Sequence, residues 1–113
     1  NDLTQYIMAA ARGNKNVAAL GVPCQPAVLR AIRGIIAAGH SAGIPVGMCG
    51  EAAADPNMIP LLLSFGLDEF SVSPSAILQT RKVIAGWSRT ELDELTGRVM
   101  ACGTLEEVLA CFR

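Results

Sequence analysis

The chain has 113 residues, of which 51% are hydrophobic and only 17% are charged, and its formal net charge is −1. This length allows no more than one domain. The basic residues are spread along the chain, which argues against a nucleic-acid-binding protein. No apolar run approaches the roughly 20 residues that a membrane-spanning helix needs, and the first residues do not resemble a signal peptide. We therefore expect a cytoplasmic protein with neither nucleic-acid nor membrane partners.

The cysteines support the same compartment. Cys24, Cys49, Cys102 and Cys111 form no C-x-x-C pair, and His40 is the only histidine. This set does not match the spacing of a zinc site, so we expect none. Without a secretory signal the thiols are expected to be reduced. His40 falls in the last turn of a predicted helix, where a histidine can interact favourably with the helix dipole.

The first half of the chain predicts two helices and a strand. A helical pattern covers Tyr6 to Gly13, and the proline- and glycine-containing segment 15–26 predicts a loop. Pro26 then suits a first helical turn, and apolar residues at spacings of three and four predict a helix to about Ala42. The short apolar run Ile44 to Met48 is typical of a strand that is covered on both faces.

The second half predicts a further strand and four helices. The helices begin at four capping residues, which are Asp55, Ser73, Ser88 and Thr104. The last two match the capping box, and Phe70 to Val72 predicts the second strand. Two strands are marginal on their own, so the high apolar fraction indicates helices that cover a larger parallel sheet. We predict an α/β protein and the C-terminal third of a (β/α)8 TIM barrel, incomplete as a stand-alone barrel.

Cys49 is the first candidate for chemistry. It follows the predicted strand Ile44 to Met48 and precedes Gly50 and Glu51, and the C-terminal ends of parallel strands are where α/β enzymes usually place reactive groups. A glycine beside it lets a ligand approach the backbone. The alternative is that Cys49 only packs, because free cysteine is among the most buried residue types.

Four motifs occur together along the chain. They are Asn1-Asp2-Leu3-Thr4-Gln5-Tyr6 with Ala10-Ala11-Arg12-Gly13-Asn14, Pro26-Ala27-Val28-Leu29-Arg30, Gly47-Met48-Cys49-Gly50-Glu51 with Asp55-Pro56, and Gly66-Leu67-Asp68-Glu69-Phe70-Ser71-Val72-Ser73-Pro74. Over essentially its whole length the chain resembles the C-terminal part of enzyme I of the bacterial sugar phosphotransferase system. Enzyme I is the phosphoenolpyruvate–protein phosphotransferase family, and pyruvate phosphate dikinase and phosphoenolpyruvate (PEP) synthase are relatives.

The resemblance implies a fold and a site. The family's PEP-binding domain is a (β/α)8 barrel that dimerises and needs Mg²⁺, and residues 1–113 match its C-terminal part, with the seventh and eighth strands. Asn1, Asp2 and Arg12 match substrate-binding residues, and Asp2 also matches a Mg²⁺ ligand. Cys49 matches the proton donor to enolpyruvate. Ala11 departs from the family, which commonly has Asp there, and we expect this to change only the local charge.

The resemblance also implies an activity and partners. The family moves phosphoryl from PEP to its own histidine and on to a histidine phosphocarrier protein, and it releases pyruvate. That histidine lies in an N-terminal domain, and the second carboxylate ligand of Mg²⁺ lies on earlier strands. This chain has neither, so we expect it to be inactive alone. The alternative is a non-enzymatic interaction or dimerisation module derived from the barrel, with exposed sheet edges.

Overall fold

The computed structural model describes residues 1–113 and has six α-helices and two short β-strands. The elements in chain order are α1 (Asp2–Met8), α2 (Pro26–Ser41), β1 (Gly47–Met48), α3 (Met58–Phe65), β2 (Glu69–Phe70), α4 (Ile77–Ala85), α5 (Arg89–Met100) and α6 (Leu105–Ala110). This order of helices and strands confirms the predicted one. Short 3-10 turns at Ala18–Leu20, Glu51–Ala54 and Pro74–Ala76 are additional.

The two strands form a parallel pair, and α3 is the crossover between them. Gly47 pairs with Glu69 and Met48 pairs with Phe70. Both predicted strands overlap the observed ones but are too long, since each observed strand has two residues, and the second begins one residue earlier than predicted, at Glu69. Each strand has a single neighbour, which limits the length of the ladder. Pro45 has no N–H with which to extend the ladder. The predicted α/β class is therefore confirmed at the level of a small parallel sheet with helices.

The hydrophobic core lies among α2, α3, α5 and α6. Its twelve buried residues are Val28, Leu29, Ile32, Ile36, Met58, Leu61, Leu62, Leu67, Leu95, Val99, Cys102 and Val108. The predicted apolar stripe of α2 supplies four of them. In contrast, α3 is apolar almost all round and is buried over Met58–Leu62, as expected for a helix covered on several sides.

The boundaries of α1, α3 and α4 differ from the prediction, and α4 begins at Ile77 because a 3-10 turn, Pro74–Ala76, follows Ser73. α1 begins at Asp2 and ends at Met8, because Ala9 adopts a left-handed conformation with φ of 51°. α3 begins at Met58 and not directly after Asp55, because the Asp55 carboxylate accepts a bond from the Asn57 amide at 2.8 Å. This local turn delays the helix. Pro60 then lies in the first helical turn, where a missing N–H removes no intrahelical bond.

The capping boxes predicted at Ser88 and Thr104 are confirmed. The Ser88 hydroxyl accepts from the Glu91 amide at 3.3 Å, and the Glu91 carboxylate accepts from the Ser88 amide at 2.8 Å. Thr104 and Glu107 form the same reciprocal pair. Each box satisfies two amides that a helix N-terminus leaves free.

A hydrogen-bond network centred on the Asp68 carboxylate holds the amino ends of both strands against α2. His40 Nε2 lies 2.7 Å from Asp68 Oδ2, and the Val46 amide donates to the same oxygen at 2.8 Å. These two bonds hold the pKa of the Asp68 carboxyl below its usual range, the backbone bond being the larger cause. His40 thus has a specific partner in addition to the helix terminus that the sequence indicated.

None of the helices combines the length and the apolar character that crossing a membrane requires.

Candidate functional site

The segments that follow the two strands meet at one edge of the sheet, here called the carboxyl edge (Asn1, 49–51 and 71–73). Parallel strands end on the same side, so residues 49–51 after β1 lie beside residues 71–73 after β2, and the Ser71 amide donates to the Met48 carbonyl at 2.8 Å. Asn1 completes this edge, because its amide nitrogen is 3.8 Å from the position of a Cβ on Gly50.

Gly50 has a backbone conformation that only glycine adopts readily. Its φ of 93° and ψ of −179° fall in a region that side chains with a Cβ essentially do not adopt. This conformation ends β1 sharply and starts the 3-10 turn Glu51–Ala54. The sequence suggested that Gly50 lets a ligand approach the backbone. The structure gives a more basic reason for glycine here, which is the backbone conformation itself.

Two clefts meet at Asn1. The first, of about 230 Å³, is lined by Asn1, Thr4, Gln5, Ala10, Ala11, Arg12, Gly13, Val17, Ala18 and Gly21. The second, of about 510 Å³, is lined by Asn1, Gly50, Glu51, Ala54, Asp55, Ser71, Val72 and Ser73. The second cleft lies at the carboxyl ends of both strands, which is where α/β proteins usually bind ligands.

Asp2 and Arg12 form an ion pair at the rim of the first cleft. Asp2 lies in the first turn of α1, and the turn after α1 brings the Arg12 guanidinium back to the Asp2 carboxylate. Their side chains are 83% and 56% exposed, so the pair is solvated and contributes little to stability. Such a pair can exchange partners with an incoming ion at low cost.

The structure brings together three of the four predicted site residues. Asn1, which precedes α1, and Arg12, in the turn after it, line the first cleft, and Asp2 at the start of α1 is paired with Arg12. Cys49 is exposed and directly precedes Gly50, but it lies outside the lining of both clefts. The packing alternative for Cys49 does not hold in this chain, because its side chain is not buried.

The sequence analysis gave no role to several residues of the second cleft. Glu51 and Asp55 supply carboxylates there, and Ser71 and Ser73 supply hydroxyls. Glu51 and Asp55 appeared only as parts of motifs or as helix signals. The signal that could have found the serines is their position directly after the second of two parallel strands.

The acidic residues near Asn1 do not make a magnesium site by themselves. Mg²⁺ requires octahedral oxygen coordination and is usually held by one or two carboxylates together with substrate phosphates. No three His, Cys, Asp or Glu side chains converge anywhere in the chain, and the Asp2 carboxylate is already paired with Arg12. The chain can therefore supply only part of such a site.

Comparison with known proteins assigns the family. The model of the family described as PEP-utilising enzyme, PEP-binding domain, matches residues 1–89. The chain belongs to this family. This agrees with the resemblance drawn from the four sequence motifs.

Individual relatives within this family match the chain over nearly its whole length. The chain is 48% identical over 109 residues to the phosphoenolpyruvate-protein phosphotransferase of Staphylococcus aureus, and the match covers 96% of this chain. The protein of that name from Staphylococcus carnosus (strain TM300) gives the same identity and coverage. The one from Lactococcus lactis subsp. lactis (strain IL1403) is 45% identical over 111 residues. In each case the chain spans only 19% of the relative's length.

Proposed function

We propose that residues 1–113 are the C-terminal part of the PEP-binding domain of a phosphoenolpyruvate–protein phosphotransferase. The observation that carries this proposal is the 48% identity to enzymes of that name over 96% of the chain. The position of Asn1 and Arg12 in the lining of one cleft, with Asp2 paired to Arg12, supports it, because a substrate with both phosphate and carboxylate groups needs several polar contacts from one side.

The parent protein is proposed to be a (β/α)8 barrel in which β1 and β2 are the seventh and eighth strands. Each strand has one unpaired edge, and exposed edges are normally paired or covered. An apolar groove of about 150 Å³ beside β1 also remains open; it is lined by Leu3, Ile32, Ile35, Ile36, Val46, Gly47, Met48 and Leu67. Further strands of a barrel would cover both features.

Arg12 and Asn1 are proposed to bind the substrate. A guanidinium can hold a phosphate or carboxylate through two parallel hydrogen bonds. Arg12 is more than half exposed, so an anionic substrate can reach it and replace Asp2 as its partner. The Asn1 amide lies between the two clefts and can donate to a phosphate oxygen in either.

Asp2 is proposed to supply one carboxylate oxygen to Mg²⁺ once Arg12 has turned to the substrate. The remaining ligands would come from the substrate phosphate, from water and from other parts of the parent protein. When bound, the metal would neutralise charge on the phosphoryl group. The residues of this chain would then orient the phosphate. The coordination of the metal would be completed only by ligands from the rest of the parent protein.

Cys49 is proposed to be the proton donor. Loss of the phosphoryl group from PEP leaves enolpyruvate, whose C3 must gain a proton to become pyruvate. The Cys49 thiol would give its proton to that carbon as a general acid, and the resulting thiolate would regain a proton from water. Its exposure at the carboxyl edge makes both transfers sterically possible.

The parent is proposed to pass the phosphoryl group to its own histidine, outside this chain, and then to a histidine phosphocarrier protein. We further propose that it acts as a cytoplasmic homodimer. The isolated chain should take no stable label from labelled PEP with Mg²⁺, because the accepting histidine and the remaining ligands are absent.

The test compares two cysteine variants of the parent protein. Cys49→Ala should lower the rate of pyruvate formation by about 10²-fold or more, the usual range for loss of a general acid, while PEP affinity changes far less. Cys24→Ala is the matched control, since Cys24 is half-buried and burial raises the pKa of its thiol. Equal rates of pyruvate formation in the Cys49 variant and the parent would remove Cys49 from the mechanism.

A dimerisation module is the second candidate function, favoured by the exposed apolar surface. Tyr6 is 79% exposed and Leu78 is 77% exposed, and the sheet edges are free. Sedimentation of the isolated chain over a concentration series distinguishes this role from that of a passive fragment. A monomer at all concentrations would count against it.

A further inference from the structure

Two thiols away from the carboxyl edge lie close together. Cys102 follows α5 and Cys111 follows α6, and their sulfur atoms are 3.7 Å apart. Each thiol also donates to the carbonyl four residues earlier, Cys102 to Arg98 and Cys111 to Glu107. The capping box at Thr104 fixes the turn between the two helices, so the sulfur atoms are held near each other by secondary structure.

The two thiols differ in their access to solvent. Cys102 is 9% exposed and belongs to the core, whereas Cys111 is half-buried. Cys111 lines a cleft of about 250 Å³ between the start of α3 and the C-terminal residues of the chain, with Pro60 on one side and Phe112 on the other. A small molecule can therefore reach the Cys111 sulfur through this cleft, and Cys102 lies on the inner side.

We propose that Cys102 and Cys111 are a redox-active dithiol site that a hydroperoxide entering this cleft oxidises to an intramolecular disulfide. The site is separate from the carboxyl edge and does not depend on the proposed phosphotransferase activity. Neither cysteine was assigned a role by the sequence beyond that of a reduced thiol.

The reaction proceeds in two steps. First, Cys111 loses its thiol proton to water and its sulfur attacks the terminal oxygen of the hydroperoxide. The O–O bond breaks, Cys111 becomes a sulfenic acid, and the leaving group, hydroxide in the case of hydrogen peroxide, takes up a proton. Then the Cys102 sulfur attacks the Cys111 sulfur, the S–O bond breaks, and hydroxide leaves as water with the Cys102 proton. In total, two thiols and hydrogen peroxide give one disulfide and two molecules of water.

The environment sets the order of these steps. Burial raises the pKa of the Cys102 thiol, and the neighbouring Cys111 raises it further. Since the thiolate is the reactive form, Cys102 is disfavoured as the first thiol to react and is protected from the bulk oxidant. Its position 3.7 Å behind Cys111 suits it to the second step. A rotation about the side-chain torsions must bring the sulfurs from this distance to that of a bond.

The test is peptide mapping of the purified protein after treatment with hydrogen peroxide. Free thiols are blocked by alkylation, and the chain is then cleaved after glutamate, because Glu106 and Glu107 lie between the two cysteines and cleavage there separates them. We expect a linked pair of peptides containing Cys102 and Cys111, two hydrogen atoms lighter than their sum, that separates on reduction. This measurement needs no variant and so does not depend on a variant's folding.

Two variants test the order of attack. In Cys102→Ser, Cys111 should accumulate as a sulfenic acid that a 1,3-dione probe captures, whereas Cys111→Ser should give little or no captured sulfenic acid at Cys102. The proposal is overturned if peroxide leaves both cysteines alkylated, if the main product links two chains, or if linkage to Cys24 or Cys49 dominates. Capture at Cys102 in Cys111→Ser at the rate seen for Cys111 would also overturn it.

Discussion

The helical core and the carboxyl edge differ in almost every physical respect. The core among α2, α3, α5 and α6 is apolar and closed, and residues such as Leu61 and Leu62 are completely buried. The carboxyl edge is polar and open, and Gly50 in it has a backbone conformation that only glycine adopts readily. The first cleft, which shares Asn1 with this edge, carries the exposed ion pair of Asp2 and Arg12. Substitutions in the core are therefore expected to cost stability through lost packing, whereas at the edge the main constraint is the backbone conformation that requires glycine at position 50.

Removing volume from the core should have the largest effect. We expect Leu62→Ala to lower the free energy of unfolding by about 2–5 kcal/mol, because a buried leucine leaves a cavity when truncated. Leu78→Ala is the matched control, since that side chain is 77% exposed and should change the free energy by less than about 0.5 kcal/mol. Urea unfolding measures both. Equal losses in the two variants would contradict the location of the core.

The next effect concerns Gly50. Gly50→Ala should cost about 1–3 kcal/mol of stability, because alanine is strained at this φ and ψ. Gly34→Ala in α2 is the control; nothing lies within 4 Å of the added Cβ, and an alanine there should gain about 0.4–1 kcal/mol. Thermal and urea unfolding compare the two. A Gly50→Ala variant as stable as the unsubstituted chain would show that the backbone at this position does not require glycine.

The smallest effect is expected at the amino ends of the strands. The Asp68 carboxyl has a lowered pKa in the folded chain, so its contribution to stability is present at neutral pH and is lost as pH falls through that lowered value. The effect should be small because the side chains of Asp68 and its partner His40 are both about two-fifths exposed. We therefore expect the difference in free energy of unfolding between the unsubstituted chain and Asp68→Asn to shrink as the pH is lowered. A difference that is constant with pH would indicate that ionisation of Asp68 contributes nothing.

The sequence predicted most of the fold because local signals determine it. The capping boxes at Ser88 and Thr104, the apolar stripe of α2 and the helix end at Gly66 all depend on neighbours in the chain. The strand lengths were wrong because they depend on a partner strand. The pairing of His40 with Asp68 was missed because 28 residues separate them.

The candidate site was predicted less completely. The motif residues Asn1, Asp2 and Arg12 do lie together, yet neither composition nor periodicity reveals that Asn1 also borders the cleft of Glu51 and Ser71. That contact exists only because two parallel strands end at the same edge. A site assembled from three separate segments cannot be derived from spacing along one of them.

The shortness of the parallel pair has a consequence for how the chain folds. Two residues per strand supply too few bonds to offset the entropy of closing the loop that α3 spans. We therefore expect the helices to pack first and the carboxyl edge to become ordered afterwards. We expect amides of the strand pair, such as that of Ser71, to exchange with solvent faster than those in the middle of α2. The ligand-facing part of the molecule would then open locally while the helices remain folded.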